Sequence, residues 1–321
     1  MAVPISISIA LCTCNGERFL GEQLASLSSQ SYLPGELVVC DDASDDGTYE
    51  LLTSFVRSAP FPVRLYRNQQ RLGISQNFEQ AIRLCTGTVI ALSDQDDVWL
   101  PKKLARYAEC FAKRIDWVFC DAQVADSALL PLSYTLWEGV AFTENQRKLA
   151  RDDRVFEVLL KHYVVAGATM AFRAELRDQL LPIPSHWYYD AWLAAVLAAT
   201  KKSMVIEECM QHYRQHEKNA IGSKRRNLVH EIRDAFDVDR TDYLSMEIFR
   251  WRNLFERLRY VETPAWILAQ LDAKCSHLLQ RAALPKNRLL RIPFVATEIA
   301  RGGYSRFSRN WGSVALDLLL K

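Results

Sequence analysis

The chain has 321 residues, 49% of them hydrophobic and 24% charged, and a formal net charge of +2. This is the balance of a soluble globular protein able to bury a sizeable core, and it excludes a strongly basic nucleic-acid binder. The charge is uneven: residues 281–321 hold eight basic side chains against two acidic ones, so the rest of the chain sums to −4.

The opening MAVPISISIALC has neither a basic n-region nor a small-residue cleavage site, and no run of about 18 apolar residues follows it. A cytoplasmic protein is expected. Residues 5–12 alternate Ile5, Ile7, Ile9 and Leu11 with small residues and read as a buried strand, broken at Asn15-Gly16. Residues 18–30 place Phe19, Leu20, Leu24 and Leu27 on one helical face. Residues 36–40 form a second strand that ends in Asp41-Asp42, and a helix follows over 49–57. A third strand at 63–66, a helix over 74–85 and a fourth strand at 88–92 complete a β-α-β-α-β-α-β run. Such alternation predicts a parallel sheet flanked by helices, with ligands beyond the carboxyl ends of its strands. Polar clusters at 12–15, 41–44 and 93–97 all fall at those ends.

Beyond this run, a helix is expected over 100–113 and a strand over 117–121. Residues 124–144 read as irregular, followed by a helix over 156–162 and a small-residue strand over 165–172. A buried helix over 191–199 and short strands at 204–207 and 210–214 come next. Long helical patterns then cover 228–236, 243–260 and 264–284, ahead of a basic, aromatic tail. A boundary near 221–224 divides the chain into residues 1–222 and a helical, basic region, 223–321. The eight cysteines lie in apolar runs without metal-ligand spacing, which predicts reduced, buried thiols.

The segment VIALSDQDDVWLPKK carries the most chemistry. Its apolar strand stops at Asp94, Asp96 and Asp97, three carboxylates in four positions. Such a cluster is either a solvated turn capping the next helix or a seat for a cation or phosphate. Asp94 and Asp96, two apart on extended backbone, face one side and suit Mg²⁺ or Mn²⁺. Asp97 reads as the cap of the next helix. Asp190, before an apolar helix, is either its cap or a base. The chain has neither GxxxxGK[ST] nor GxGxxG after strand one, which argues against a P-loop or a dinucleotide site.

In this order and spacing, TCNGERFL, VVCDDASDDGT, RLGISQNFEQAI and ALSDQDDVWLPKKL resemble the family 2 glycosyltransferases of the GT-A fold. VAGATMAF, YYDAWLA and YRQHEKNAIG resemble the bacterial branch of rhamnosyltransferases and related enzymes of surface-polysaccharide assembly, O-antigen included. The resemblance spans about residues 5–222. It implies an α/β GT-A fold with a mostly parallel sheet and a C-terminal helical extension. It also implies an inverting, metal-dependent transfer from a nucleotide-diphosphate sugar, dTDP-rhamnose or a UDP-sugar, to a glycan or lipid-linked glycan.

Residue by residue, Cys12, Thr13 and Asn15 would border the base, Asp42 would bind it, and Asp41 would lie beside it. Glu17, Arg71, Asn77 and Gln95 fall in the matched segments as further donor contacts. Asp94 would meet ribose or metal, Asp96 would be the main metal ligand, and His216 would complete the shell. Arg214 would lie near the diphosphate. Asp190 matches the acceptor-activating base, with Asp121 and Asp153 as rivals, and Trp187, Tyr188, Tyr189 and Trp192 would stack on sugars. His162, His186, His230 and His277 read as structural. The pattern departs from the family at Cys14, where an aromatic is usual, and at Tyr188-Tyr189, which replace an acidic pair. Outside this resemblance, a nucleotidyltransferase or a catalytically silent sugar-nucleotide-binding protein are the alternatives. Basic and aromatic residues from Arg288 to Trp311 also suit an anionic membrane surface.

Overall fold

The computed structural model describes residues 5–217, 240–308 and 311–319. The expected boundary at 221–224, the helix at 228–236, His230, Arg309 and Lys321 lie outside them.

Strands β1 (Ile7–Thr13), β2 (Glu36–Asp41), β3 (Val63–Arg67) and β4 (Val89–Ser93) alternate with helices α1 (Glu17–Ser28), α2 (Thr48–Ser58) and α3 (Ile74–Leu84). They pair in parallel in the spatial order β3-β2-β1-β4. Every residue of β1, β2 and β4 is buried, as expected of parallel strands covered on both faces. The short β5 (Val98–Trp99) and helix α4 (Lys103–Ala112) follow.

The second half departs from the sequence expectation. Strand β6 (Trp117–Ala125) runs past residue 121 and forms a hairpin with β7 (Pro131–Thr135), where irregular chain was expected. Helices α5 (Leu136–Gly139), α6 (Glu144–Arg151) and α7 (Val155–Leu159) follow. The expected strand at 165–172 begins only at β8 (Met170–Arg173), because Gly167–Thr169 forms a 3₁₀ turn beneath Tyr189. β8 runs antiparallel between β4 and β6. Helices α8 (Arg177–Leu180) and α9 (Tyr189–Thr200) lead to β9 (Ser203–Arg214). The two short strands expected here are one strand, whose register against β6 slips across the exposed Glu207-Glu208. That bulge is what broke the apolar pattern in the sequence.

The C-terminal region consists of α10 (Arg240–Arg259), α11 (Ala265–Ala282), α12 (Arg288–Ala300), α13 (Gly303–Phe307) and α14 (Trp311–Leu319). Leu244, Trp251, Leu254, Leu258, Ile267, Leu271 and Leu278 join the same apolar core as α9 and the face of the sheet beneath it. Lys274 is buried and donates to the carbonyls of Leu160 and Phe307, bridging α11 to the chain after α7.

Asp317 of α14 holds the C-terminal helices together. Its fully buried carboxylate accepts from Arg240 at 3.0 Å, Arg281 at 2.6 Å and Tyr304 at 2.6 Å. Its backbone carbonyl accepts from Arg291 at 2.8 Å. Asp317→Ala would leave Arg240 and Arg281 buried without their counter-charge. Removing one partner of a buried ion pair costs about 3–5 kcal/mol. Urea unfolding followed by tryptophan fluorescence should therefore show a clearly lowered midpoint; an unchanged midpoint would show that the arginines re-solvate freely.

Candidate active site

Sheet register sets the site. Thr13 is level with Asp41, and Leu11 with Ser93, so the loops leaving β1, β2 and β4 emerge together. The first two are laced to each other. Thr13 donates to Asp41 at 2.9 Å, and the Asn15 N–H donates to Ser44 Oγ at 3.0 Å. Asn15 Nδ2 donates to Asp45 at 2.6 Å, and the Gly47 N–H donates to Glu17 at 3.1 Å. Asn15 and Ala43 both hold positive φ, near 50°. Asn tolerates this region; a left-handed Ala costs roughly 1–2 kcal/mol, which the lacing must hold in place.

The third loop is tied in by one side chain. Gln95 accepts from the Cys14 N–H at 2.8 Å and donates to the Cys14 carbonyl at 3.0 Å. The contact is so close that a Cβ on Gly16 would sit 2.3 Å from Gln95 Oε1, so any larger residue there would push the Gln95 amide out of this clamp.

The carboxylates behind Gln95 have separate environments. Asp96 meets His216 Nε2 at 2.8 Å, and that imidazole lies against Phe19, ring centres 4.8 Å apart. Asp94 accepts from Tyr189 Oη at 3.2 Å. Burial, with the charges of Asp96 and Asp190 close by, pushes the Asp94 carboxyl up to about 7. Asp97 is 1% exposed and caps no helix, contrary to expectation: Gln211 Nε2 donates to it at 2.6 Å and the Arg214 N–H at 3.2 Å. Lys103, fully buried against Trp99, donates to Gln211 and to the carbonyl of Ala168. The chain here builds a tethered carboxylate cluster, not a solvated acidic turn.

Asp190 faces this cluster from the start of α9. Its oxygens accept from the Ala191 N–H at 2.8 Å and the Gly167 N–H at 3.2 Å. Burial raises its carboxyl, and these N–H bonds oppose that rise. Tyr189, stacked on Phe78 with ring centres 3.9 Å apart, crosses from α9 to Asp94. A Cβ on Gly167 would lie 2.0 Å from the Tyr189 hydroxyl, so the 3₁₀ turn must pass with a bare glycine.

Residues 8–181 match the glycosyl transferase family 2 model, more than half of the chain. The chain belongs to glycosyl transferase family 2. Among its relatives is UDP-Glc:alpha-D-GlcNAc-diphosphoundecaprenol beta-1,3-glucosyltransferase WfgD of Escherichia coli, 32% identical over 98 residues, 30% of this chain and 38% of that protein. Among solved structures, Staphylococcus aureus TarS 1–349 with UDP-GlcNAc superposes with a TM-score of 0.58 at 16% identity, covering 92% of this chain and 81% of that one. The mannosyltransferase PcManGT from Pyrobaculum calidifontis, with GDP-Man and Mn²⁺, gives 0.54 at 18% identity, covering 99% and 86%. These neighbours share the GT-A fold, as expected from the sequence.

Within this glycosyltransferase, the residues singled out from sequence take different places. Cys12, Thr13, Asn15, Glu17, Asp41, Asp94, Gln95, Asp96, Asp190 and His216 lie on or just behind one edge of the sheet. Arg71, half exposed, reaches Asp45 at the rim at 3.4 Å. Asp42 is spent on the loop between β3 and α3: its carboxylate accepts from the N–H groups of Leu72 and Gly73 at 2.7 and 2.9 Å, and from Asn68 at 2.8 Å. Asn77 is buried and donates to the Cys40 carbonyl at 2.8 Å.

Arg214 is 1% exposed and turned away from solvent. It donates to the carbonyls of Asp96 and Ser127 at 2.8 and 2.7 Å, pairs with Glu22, and lies over Phe19. It therefore holds the Asp96 turn in place. Trp187, Tyr189 and Trp192 are buried, and Tyr188 alone of that group is exposed, at 51%. The rival carboxylates are structural: Asp121 accepts from the Trp137 N–H, and Asp153 from the backbone and hydroxyl of Ser203. All eight cysteines are free thiols, six of them buried.

Lys103 and Gln211 were not found from sequence. Lys103 carries a signal: it shares the helical face of Tyr107, Cys110 and Phe111, where an apolar residue belongs.

Gln95→Glu keeps the acceptor of the Cys14 clamp, loses its donor and adds a carboxylate to the cluster. An unmade hydrogen bond to a part-buried carbonyl costs about 1–3 kcal/mol, or roughly five- to 150-fold. We expect a fall of that size in kcat/KM for the donor. An unchanged value would show that the clamp does not shape the site.

Proposed function

We propose that this enzyme transfers a sugar, with inversion, from a nucleotide-diphosphate donor to a hydroxyl of a glycan or lipid-linked glycan in surface-polysaccharide synthesis, with a divalent cation as cofactor. The observation that carries this reading is the bridge at Tyr189. Its hydroxyl donates to Asp94 at 3.2 Å and Asp190 follows it at the start of α9, which brings the proposed base to the donor-side carboxylates. The solved neighbours support the donor class, since they hold UDP-GlcNAc and GDP-Man. The Escherichia coli relative, named for a diphosphoundecaprenol acceptor, supports a lipid-linked one.

The cation reading rests on donor chemistry. Asp94 and Asp96 present hard oxygen ligands in an under-compensated carboxylate cluster, with the His216 imidazole touching Asp96. Among the described residues no three His, Cys, Asp or Glu side chains form a ready cage. Mg²⁺ and Mn²⁺ need none when one or two carboxylates and the donor's own phosphates complete the shell. When bound, such an ion would offset the charge that develops on the leaving diphosphate.

The protein's own groups do the rest. Gln95 and the loops laced around Asn15 and Ser44 shape the nucleotide end. Asp96, anchored through Arg214, and Asp94, anchored through Tyr189, face the diphosphate end. Asp190, held by the N–H groups of Gly167 and Ala191, takes the proton of the acceptor hydroxyl as that oxygen attacks the anomeric carbon from the face opposite the nucleotide. Exposed Tyr188 lies beside this base, where an aromatic ring suits a sugar face.

Positioned proton transfer contributes about 10²–10⁴-fold. Asp190→Asn should lower glycosyl transfer by that factor while donor binding, read by thermal shift across UDP-, dTDP- and GDP-sugars, is retained. Unchanged turnover rejects the base assignment. Chelation of divalent ions should abolish nucleotide release, and Mn²⁺ or Mg²⁺ should restore it; full activity in chelator rejects the cofactor.

A further inference from the structure

Helix α12, RLLRIPFVATEIA, packs inward by a narrow stripe. Arg291 and Val295 are its buried residues. Beside that stripe Leu289, Ile292 and Ile299 are 74, 52 and 40% exposed and line one side of the helix, Ile292 and Ile299 standing one turn before and one turn after Val295. Leu290 and Phe294, each 58% exposed, widen this face, and Trp311 opens α14 at 68%. A water-facing helix normally reverses this pattern, and a contiguous apolar surface marks an interaction site.

The charges around it have one sign. Lys286, Arg288, Arg301 and Arg306 are exposed. The only acids between residues 286 and 319 are withdrawn: Glu298 pairs with His277 at 2.6 Å, and Asp317 is fully buried among its arginines. The aromatic and basic character expected of the tail is thereby narrowed. Arg291, Tyr304 and Phe307 are interior groups, while Phe294 and Trp311 face outward beside the aliphatic Leu289, Leu290, Ile292 and Ile299 of α12.

We propose that α12 docks this enzyme on a lipid bilayer carrying anionic head groups, lying in the interface with its apolar side in the acyl boundary and its basic rim on the phosphates. No described helix is long and apolar enough to cross a membrane, so the helix lies on the bilayer. A second copy of the chain is a poorer occupant: a two-fold contact on α12 would set two positive rims against each other. The inference goes beyond the proposed transfer reaction and does not depend on it, since docking needs neither donor nor acceptor.

The full chain is tested by co-sedimentation with vesicles of phosphatidylcholine, with and without phosphatidylglycerol, at low and high salt. We expect binding to the anionic vesicles, weakened by salt. Leu289→Asp with Ile292→Asp should abolish it without lowering the thermal midpoint, because both side chains are exposed. Arg288→Ala and Arg301→Ala should each weaken it about fivefold, the value of one basic residue at an anionic surface. If the aspartate pair disturbs folding, Leu289→Gln with Ile292→Gln is read in its place. No binding of the native chain at low salt, or equal binding by the variants, overturns the proposal. So does a dimer, seen by sedimentation, that the same variants split while vesicle binding is absent.

Discussion

Like charge held at one edge of a sheet is the constraint on which this fold turns. Asp94, Asp96, Asp97 and Asp190 converge where β4 ends and α9 begins. Two carboxylates about 4 Å apart near a protein surface repel by roughly 4 kcal/mol. The structure treats the four unequally. Asp97 is drawn inside and satisfied by Gln211 and the Arg214 N–H, with Lys103 as the buried cation behind them. Asp94 and Asp96 keep few donors, Tyr189 on the one and His216 on the other, so the uncompensated charge is concentrated at the strand ends. A network that looks like core packing thus decides which carboxylates stay available.

The cleft is built from loops, yet they are not free. Gln95 joins the first and third loops through both backbone groups of Cys14, and Ser44, Asp45 and Glu17 join the first to the second. This lacing supports two non-glycine residues in left-handed backbone. The strands beneath are buried on both faces and supply the rigid platform from which short loops can place polar groups accurately.

The parallel half of the sheet was legible because its strands are continuous apolar runs punctuated by Asn15-Gly16, Asp41-Asp42 and Ser93-Asp94. The second half was less so. β9 is half-polar, Asp121 and Gln123 interrupt the later part of β6, and the bulge at Glu207-Glu208 cuts the periodicity that marks a strand. The Gly167–Thr169 turn looks like strand in sequence because its small residues answer to Tyr189, twenty-two positions later in the chain. At the site, carboxylates were found because like charges in four positions are conspicuous. The roles of Arg214, Asp97 and Lys103 were not, because composition cannot tell a charge that faces solvent from one buried against a carbonyl. Arg214 looks like a phosphate ligand in YRQH and is a strut.

The cluster at Asp317 has a consequence for the order in which the molecule can be completed. Arg281 finds its carboxylate 36 residues further along the chain, and Arg240 finds it 77 residues further. As the chain leaves the ribosome, both guanidiniums emerge before their partner exists. Until then α10 and α11 can lay their leucines and Trp251 on the sheet only by burying unmatched charge or by keeping that end open. The charge balance of the helical layer is therefore supplied from α14, and neither arginine has its carboxylate until that helix is made and docked.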